Sequence, residues 1–223
     1  MATMTSGSRG PTRSMVARKG APSLRRLWLP TLYLLLLASA VQAAGGLPAL
    51  KSGQFDGLML AIDSAGHLTG YYREDQDSDP PKHCRFFLAG RIQGSTAAIT
   101  TWSSVTLAGQ LATAPTGVRL TITRGKEHAG CGLVLPPEIS SGMLLERLRP
   151  ENWTELRTVH AGRAYFHKAA DASTRLRSYV VVGDIVSVLA ARSDWIQVDY
   201  MAVANKRVRG WLRLSDTRAF DKK

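Results

Sequence analysis

The side chains able to do chemistry in this chain are few and scattered. The five histidines, His67, His83, His128, His160 and His167, lack the spacing that aims two imidazoles at one metal, and no H-x-H, H-E-x-x-H or C-x-x-C run occurs. Asp75, Asp77 and Asp79 alternate as in a calcium loop. The sixth position of that loop would be Pro80 instead of glycine and the twelfth Phe86 instead of glutamate, so no calcium site is expected. A G-x-S-x-G elbow and a Gly-rich phosphate loop are both missing. Two acids of the N-terminal half could pair for glycoside hydrolysis, but nothing in their spacing selects them. His67, in a turn, and His128, before Cys131, are expected at the surface rather than as a catalytic dyad. The residues predict a protein that is not an enzyme and holds no metal and no cofactor.

Only two cysteines are present, Cys84 and Cys131. One reading makes Cys84 a catalytic thiol beside His83. Neighbours on a strand point to opposite faces, so His83 is badly placed to serve as its base. The other reading, a disulfide between the two, suits an exported chain. Such a bridge would add roughly 4 kcal/mol in the chain-entropy model.

The compartment is read from the start of the chain. SLRRLWLPTLYLLLLASAVQAAGG places two arginines before an apolar run and then small residues, the order of a secretory signal peptide. Val41 and Ala43 fit the −3 and −1 positions, which puts cleavage after Ala43 and leaves no membrane anchor. The run is shorter than the roughly 20 residues of a spanning helix. Residues 1–43 hold six basic residues and no acid, so their removal lowers the formal charge from +12 to +6. The remaining excess sits toward the C-terminus, and nucleic acid is not an expected partner.

After a lead-in at 44–53, GQFDGLMLAIDSAGHLTGYYRE reads as a β-hairpin around a D-S-A-G turn. The acidic loop DQDSDPPKH follows, then CRFFLAGRI, TAAITTW and GVRLTITR as short strands. SGMLLERL is the one segment read as a short helix. This predicts a small antiparallel β sandwich or barrel over 54–150, with one disulfide. The pattern changes around PENWTELRTVH, which is taken as the domain break.

Beyond it the strands alternate cleanly. AYFH at 164–167, the loop DASTRLR, a V-x-G-D-x-V-x-V-L arm at 181–189, WIQV at 195–198 and GWL at 210–212 occur in that order. Over residues 160–217 this resembles the bacterial SH3-like (SH3b) domain family. The resemblance implies a small SH3-like β-barrel at about 158–217, of five or six strands, in an exported envelope protein.

Alternation assigns the faces independently. Ala164, Phe166, Ile196, Val198, Tyr200, Leu212 and Leu214 point inward, while Tyr165, His167, Trp195, Gln197, Asp199 and Trp211 point outward. Gly183 is expected to take positive φ in the turn, with Asp184 bonding the turn backbone. The outward aromatics Tyr165, Trp195 and Trp211 come from three strands. They either form a shallow stacking surface for a peptide or glycan, or pack on the N-terminal domain. The tip Asn205 to Arg209 is basic and is expected to be solvated.

The expected product is a periplasmic or secreted, mostly β, non-catalytic binding protein of the bacterial cell envelope. Its SH3-like domain would recognise peptidoglycan or an envelope protein. The alternative is an inhibitor or immunity protein against a wall hydrolase, with Tyr71, Tyr72 and Arg73 as the probing segment.

Overall fold

The computed structural model describes residues 49–202 and 206–220, so the expected leader lies outside the described residues. Eight antiparallel strands form a closed barrel: β1 (Gly53–Phe55), β2 (Leu58–Ile62), β3 (His67–Gln76), β4 (Lys82–Gln93), β5 (Thr96–Trp102), β6 (Thr106–Ala114), β7 (Gly117–Thr121) and β8 (Met143–Pro150). Closure comes from β1, which pairs with both β2 and β8 and so leaves no free edge. The inward set on β3 and β4 is Leu68, Tyr72, Cys84, Phe86 and Leu88, all buried. The outward set between them holds Thr69, Tyr71, Arg73, Arg85 and Phe87. The D-S-A-G turn of the first hairpin is present, with Gly66 at positive φ.

One segment of the barrel differs from expectation, and one strand was not anticipated. SGMLLERL is a strand: Met143 and Leu145 are buried, Leu144 and Glu146 exposed, the period of two that a strand requires. Its leucines favour a helix locally, but β1 and β7 offer ladders on both sides, and pairing overrides a weak propensity. TLAGQLATA, rich in Ala and Gly, is the full strand β6, bonded to β5 and β7. The end of the lead-in is packed as well, since Leu50 and Ser52 are buried.

One end of the barrel is closed by the segment between β7 and β8, which carries short 3-10 turns at Gly125–Glu127 and Pro137–Ser140 and buries Val134, Leu135 and Ile139. Cys131 in this cap is disulfide-bonded to Cys84 on β4, and both are fully buried. Gly130 (φ 76°) makes the approach possible: a Cβ there would lie 1.9 Å from the His83 carbonyl oxygen. His128 is buried, not at the surface. Its ring stacks on Phe86 at 4.6 Å. Thr101 Oγ1 donates to the Leu107 carbonyl, so it accepts from His128 Nε2 at 2.9 Å, leaving Nδ1 to accept from Ser103 Oγ at 2.9 Å. Burial lowers the His128 pKa and favours this neutral form.

Seven further strands form an open half-barrel sheet: β9 (Glu155–Val159), β10 (Arg163–His167), β11 (Arg175–Val181), β12 (Ile185–Arg192), β13 (Trp195–Met201), β14 (Arg207–Arg213) and β15 (Thr217–Ala219), in the order β11-β10-β14-β13-β12-β9-β15. Ala164, Phe166, Val186, Val188, Ile196, Val198 and Leu212 form its core. Gly183 takes φ 92° in the turn before β12, and Asp184 accepts from the Val181 amide at 2.8 Å, as expected.

Among the described residues, barrel and half-barrel belong to one compact unit. PENWTELRTVH is therefore a packed junction and not a loose linker. Trp153, 1% exposed, clusters there with Ala61 and Leu156, with Met59, Tyr71, Ile185, Leu189 and Phe220 around them. The Trp153 carbonyl accepts from Ser52 Oγ (2.6 Å) and the Ile62 amide (3.1 Å), and the Leu156 amide donates to Thr69 Oγ1 (2.8 Å). Among the described residues there is no α-helix, and none is long and apolar enough to cross a membrane.

Candidate functional site

The outward aromatics of the half-barrel occupy one face of β11, β10, β14 and β13, and register decides their neighbours. Tyr165 pairs directly with Tyr179, their rings 5.5 Å apart. Arg163 lies over the Tyr179 ring at 5.0 Å and Arg175 over Tyr165 at 4.7 Å. These four side chains form a continuous Arg–Tyr–Tyr–Arg row. Trp195 makes a second group, with Arg213 at 4.9 Å from its ring and His167 edge-on at 4.6 Å. Trp211 stands opposite Gln197 on β13 and His167 on β10. Among the described residues, no ring of Tyr165, Trp195 and Trp211 stacks on another of the three.

Trp195 is half-buried, because His167 and Arg213 cover it. His167, expected to point to solvent, is 5% exposed. Its Nδ1 lies 3.0 Å from the Asp171 carbonyl, which can only accept, so Nδ1 is the donor. None of Tyr165, Trp195 and Trp211 belongs to the junction cluster, so the face is not used up by the barrel. Among the described residues, Arg163, Arg175 and Arg213 form no ion pair with a carboxylate. Their charge is held against aromatic rings instead, which leaves the guanidinium edges open for an external acceptor.

Further along the same face the polar residues are spent on structure. Asp199, expected on the outward face, is fully buried. It accepts from Trp153 Nε1 (3.2 Å), Arg209 Nε (2.8 Å) and Arg209 Nη2 (3.0 Å). Arg207 bonds Glu151 and approaches Asp199 at 3.5 Å. The basic tip is therefore tied down at Arg207 and Arg209, and Asn205 lies outside the described residues. Burial alone pushes the Asp199 carboxyl up. Its bonds from Arg209 and Trp153 and the charges of Arg209 and Arg207 outweigh that, and its pKa is lowered. A lowered folded pKa stabilises above the unfolded value of about 3.9, and that contribution is lost as pH falls through the folded value. We expect Asp199→Asn to flatten the acid limb of stability below about pH 4 in urea titrations. Asp63, Asp75 and Asp171, also lowered, keep their share. An unchanged limb would exclude this role.

The Tyr71–Arg73 segment is split by the strand period. Tyr72 is not on the surface: it is 2% exposed, stacks on Phe86 at 4.8 Å and donates to Glu74 at 2.5 Å. Tyr71 and Arg73 point out. Tyr71 packs on Phe87, and Phe87 on Trp102 and Phe220. Arg73 and Arg85 share the Asp75 carboxylate with His83, at 2.6, 3.0 and 2.7 Å. Burial raises the Asp75 carboxyl, but the bonds from Arg73, Arg85 and His83 dominate and hold it below the ordinary carboxylate range.

Sequence reasoning missed Arg163, Arg175, Tyr179 and Arg213. The R-x-Y spacing at Arg163 and Tyr165 was visible, but only strand register sets Tyr179 beside Tyr165 and Arg213 opposite Trp195. Among the described residues, no group of acids, histidines and cysteines is arranged to hold a metal. Compared with models of known protein families, with curated proteins and with solved structures, the chain matches none of them.

Proposed function

We propose that this chain is a non-catalytic binding protein of the bacterial cell envelope. Its C-terminal half acts as an SH3-like domain that recognises peptidoglycan or an envelope protein through the arginine–aromatic face. One observation carries this reading: Arg163, Arg175 and Arg213 lie on Tyr179, Tyr165 and Trp195, without a carboxylate partner among the described residues. Aromatic rings stack on the apolar faces of sugars, and guanidinium forks donate paired hydrogen bonds to carboxylates. Peptidoglycan offers both groups on one strand. The buried disulfide agrees with an oxidising, periplasmic or secreted location.

The purified protein is expected to co-sediment with insoluble peptidoglycan, and more weakly as salt rises. Trp195→Ala should weaken retention by roughly 30-fold, the effect of a hot-spot side chain of about 2 kcal/mol. Arg175→Gln, at an exposed position, should weaken it less. Equal retention of a folded Trp195→Ala protein would overturn the assignment of this face.

The second reading, an inhibitor or immunity protein against a wall hydrolase, is favoured by the Arg73–Asp75–Arg85 cluster, whose two arginine side chains are about half exposed. Inhibition of a lysozyme or amidase in a turbidity assay, lost in Arg73→Ala, is the outcome that would select it.

A further inference from the structure

A cleft of about 650 Å³ opens beside the junction, between the barrel strands β1–β4 and β8 and the Gly183 turn and β13 end of the half-barrel. Its size falls in the range of roughly 300–1,000 Å³ typical of small-molecule sites. Its two walls differ in charge. The barrel wall carries Arg73 and Arg85, with Tyr71 beside them. Their shared partner Asp75 supplies one negative charge against two guanidiniums, so this wall keeps a positive excess. The Tyr71 hydroxyl bonds no side chain among the described residues, although its ring is half-buried. Burial raises its pKa, while the charges of Arg85 and Arg73 oppose that.

The half-barrel wall carries Asp184. Its Oδ2 takes the Val181 amide, and its Oδ1 accepts from the Tyr200 hydroxyl at 3.2 Å. One carboxylate has about four lone-pair sites, so Asp184 retains capacity for another donor. The same cleft is lined by the apolar side chains of Met59, Leu148, Ile185 and Met201. Leu148 is 57% exposed, a large apolar side chain that the chain's own packing leaves uncovered.

We propose that this cleft binds a short peptide with free ends. The carboxylate is taken by Arg73, Arg85 and the Tyr71 hydroxyl, the ammonium by Asp184, and an apolar side chain lies over Leu148, Ile185 and Met201. The complementarity is specific to a zwitterion. A fatty acid would satisfy only the arginine wall, and an amine only Asp184. The site is separate from the arginine–aromatic face and does not depend on it.

The test is a calorimetric titration of the whole purified chain with the tripeptide Ala-Leu-Ala, run with both ends free, C-terminally amidated, N-terminally acetylated, and alongside decanoate. Saturable binding is expected for the free peptide. Amidation or acetylation should each weaken it about tenfold or more, as loss of a charged hydrogen bond does. In Arg85→Gln the gap between the free and amidated peptides should narrow, because one of the three carboxylate partners is gone. Blocking the ends requires no change in the protein, so a variant that fails to fold leaves the test intact. Absence of saturable binding, or equal affinity for free and blocked peptides, would overturn the proposal. So would decanoate binding as tightly as the free peptide.

Discussion

Trp153→Ala is expected to lower unfolding free energy by about 3–5 kcal/mol in urea titrations, the range for deleting a buried aromatic. The residue is 1% exposed and belongs to the junction cluster between barrel and half-barrel rather than to either main core. Its loss opens a cavity at the junction and removes the indole N–H from a buried carboxylate, Asp199. The barrel and the half-barrel should then unfold less cooperatively, with a transition that broadens or splits between far-ultraviolet dichroism and tryptophan fluorescence. Trp153→Phe keeps most of the packing and gives up only the N–H···O bond. Arg209 still serves Asp199, so that variant should lose only about 1 kcal/mol. A loss below about 1 kcal/mol for the alanine variant would mean that the junction collapses around the gap, contrary to the packing described.

Removing the disulfide is the other large effect. The replacement Cys84→Ala with Cys131→Ala should cost about 4 kcal/mol, because the bridge closes a chain segment with a sequence separation of 47 and restricts the unfolded state accordingly. The cap between β7 and β8 depends on it most directly. Val134, Leu135 and Ile139 enter the barrel end from a segment with little regular structure of its own. Proteolysis is expected to begin in this cap when the bridge is absent. The arginine–aromatic face, on the other sheet, should still bind its partner as long as the fold persists. A double variant as stable as wild type would show that the barrel alone fixes the cap.

The wild-type face and the cleft were legible to different degrees. Tyr165, Trp195 and Trp211 followed from alternation alone, and their half-exposed positions match that reading. Their arginine partners were not legible, because a cation–π contact joins strands whose register no local pattern reveals. Tyr71 and Arg73 were singled out together with Tyr72, although a period of two sends Tyr72 into the barrel. The cleft itself was invisible, since Arg85, Asp184 and Leu148 meet across about a hundred residues only once the junction forms.

The sequence by itself determined the β architecture, the pairing of Cys84 with Cys131, the Gly183–Asp184 turn and the inward set of the second sheet. Each follows from short-range rules: period two, turn chemistry, and the scarcity of thiols. Tertiary structure decided the rest. Leu-rich SGMLLERL became a strand because a barrel must close, and His128 went inside because Thr101, Ser103 and Phe86 were there to receive it. Asp199 shows the physical reason most clearly. Alternation puts it outward, but at the end of the sheet that meets the Trp153 junction outward means buried, and Trp153 and Arg209 make that burial tolerable.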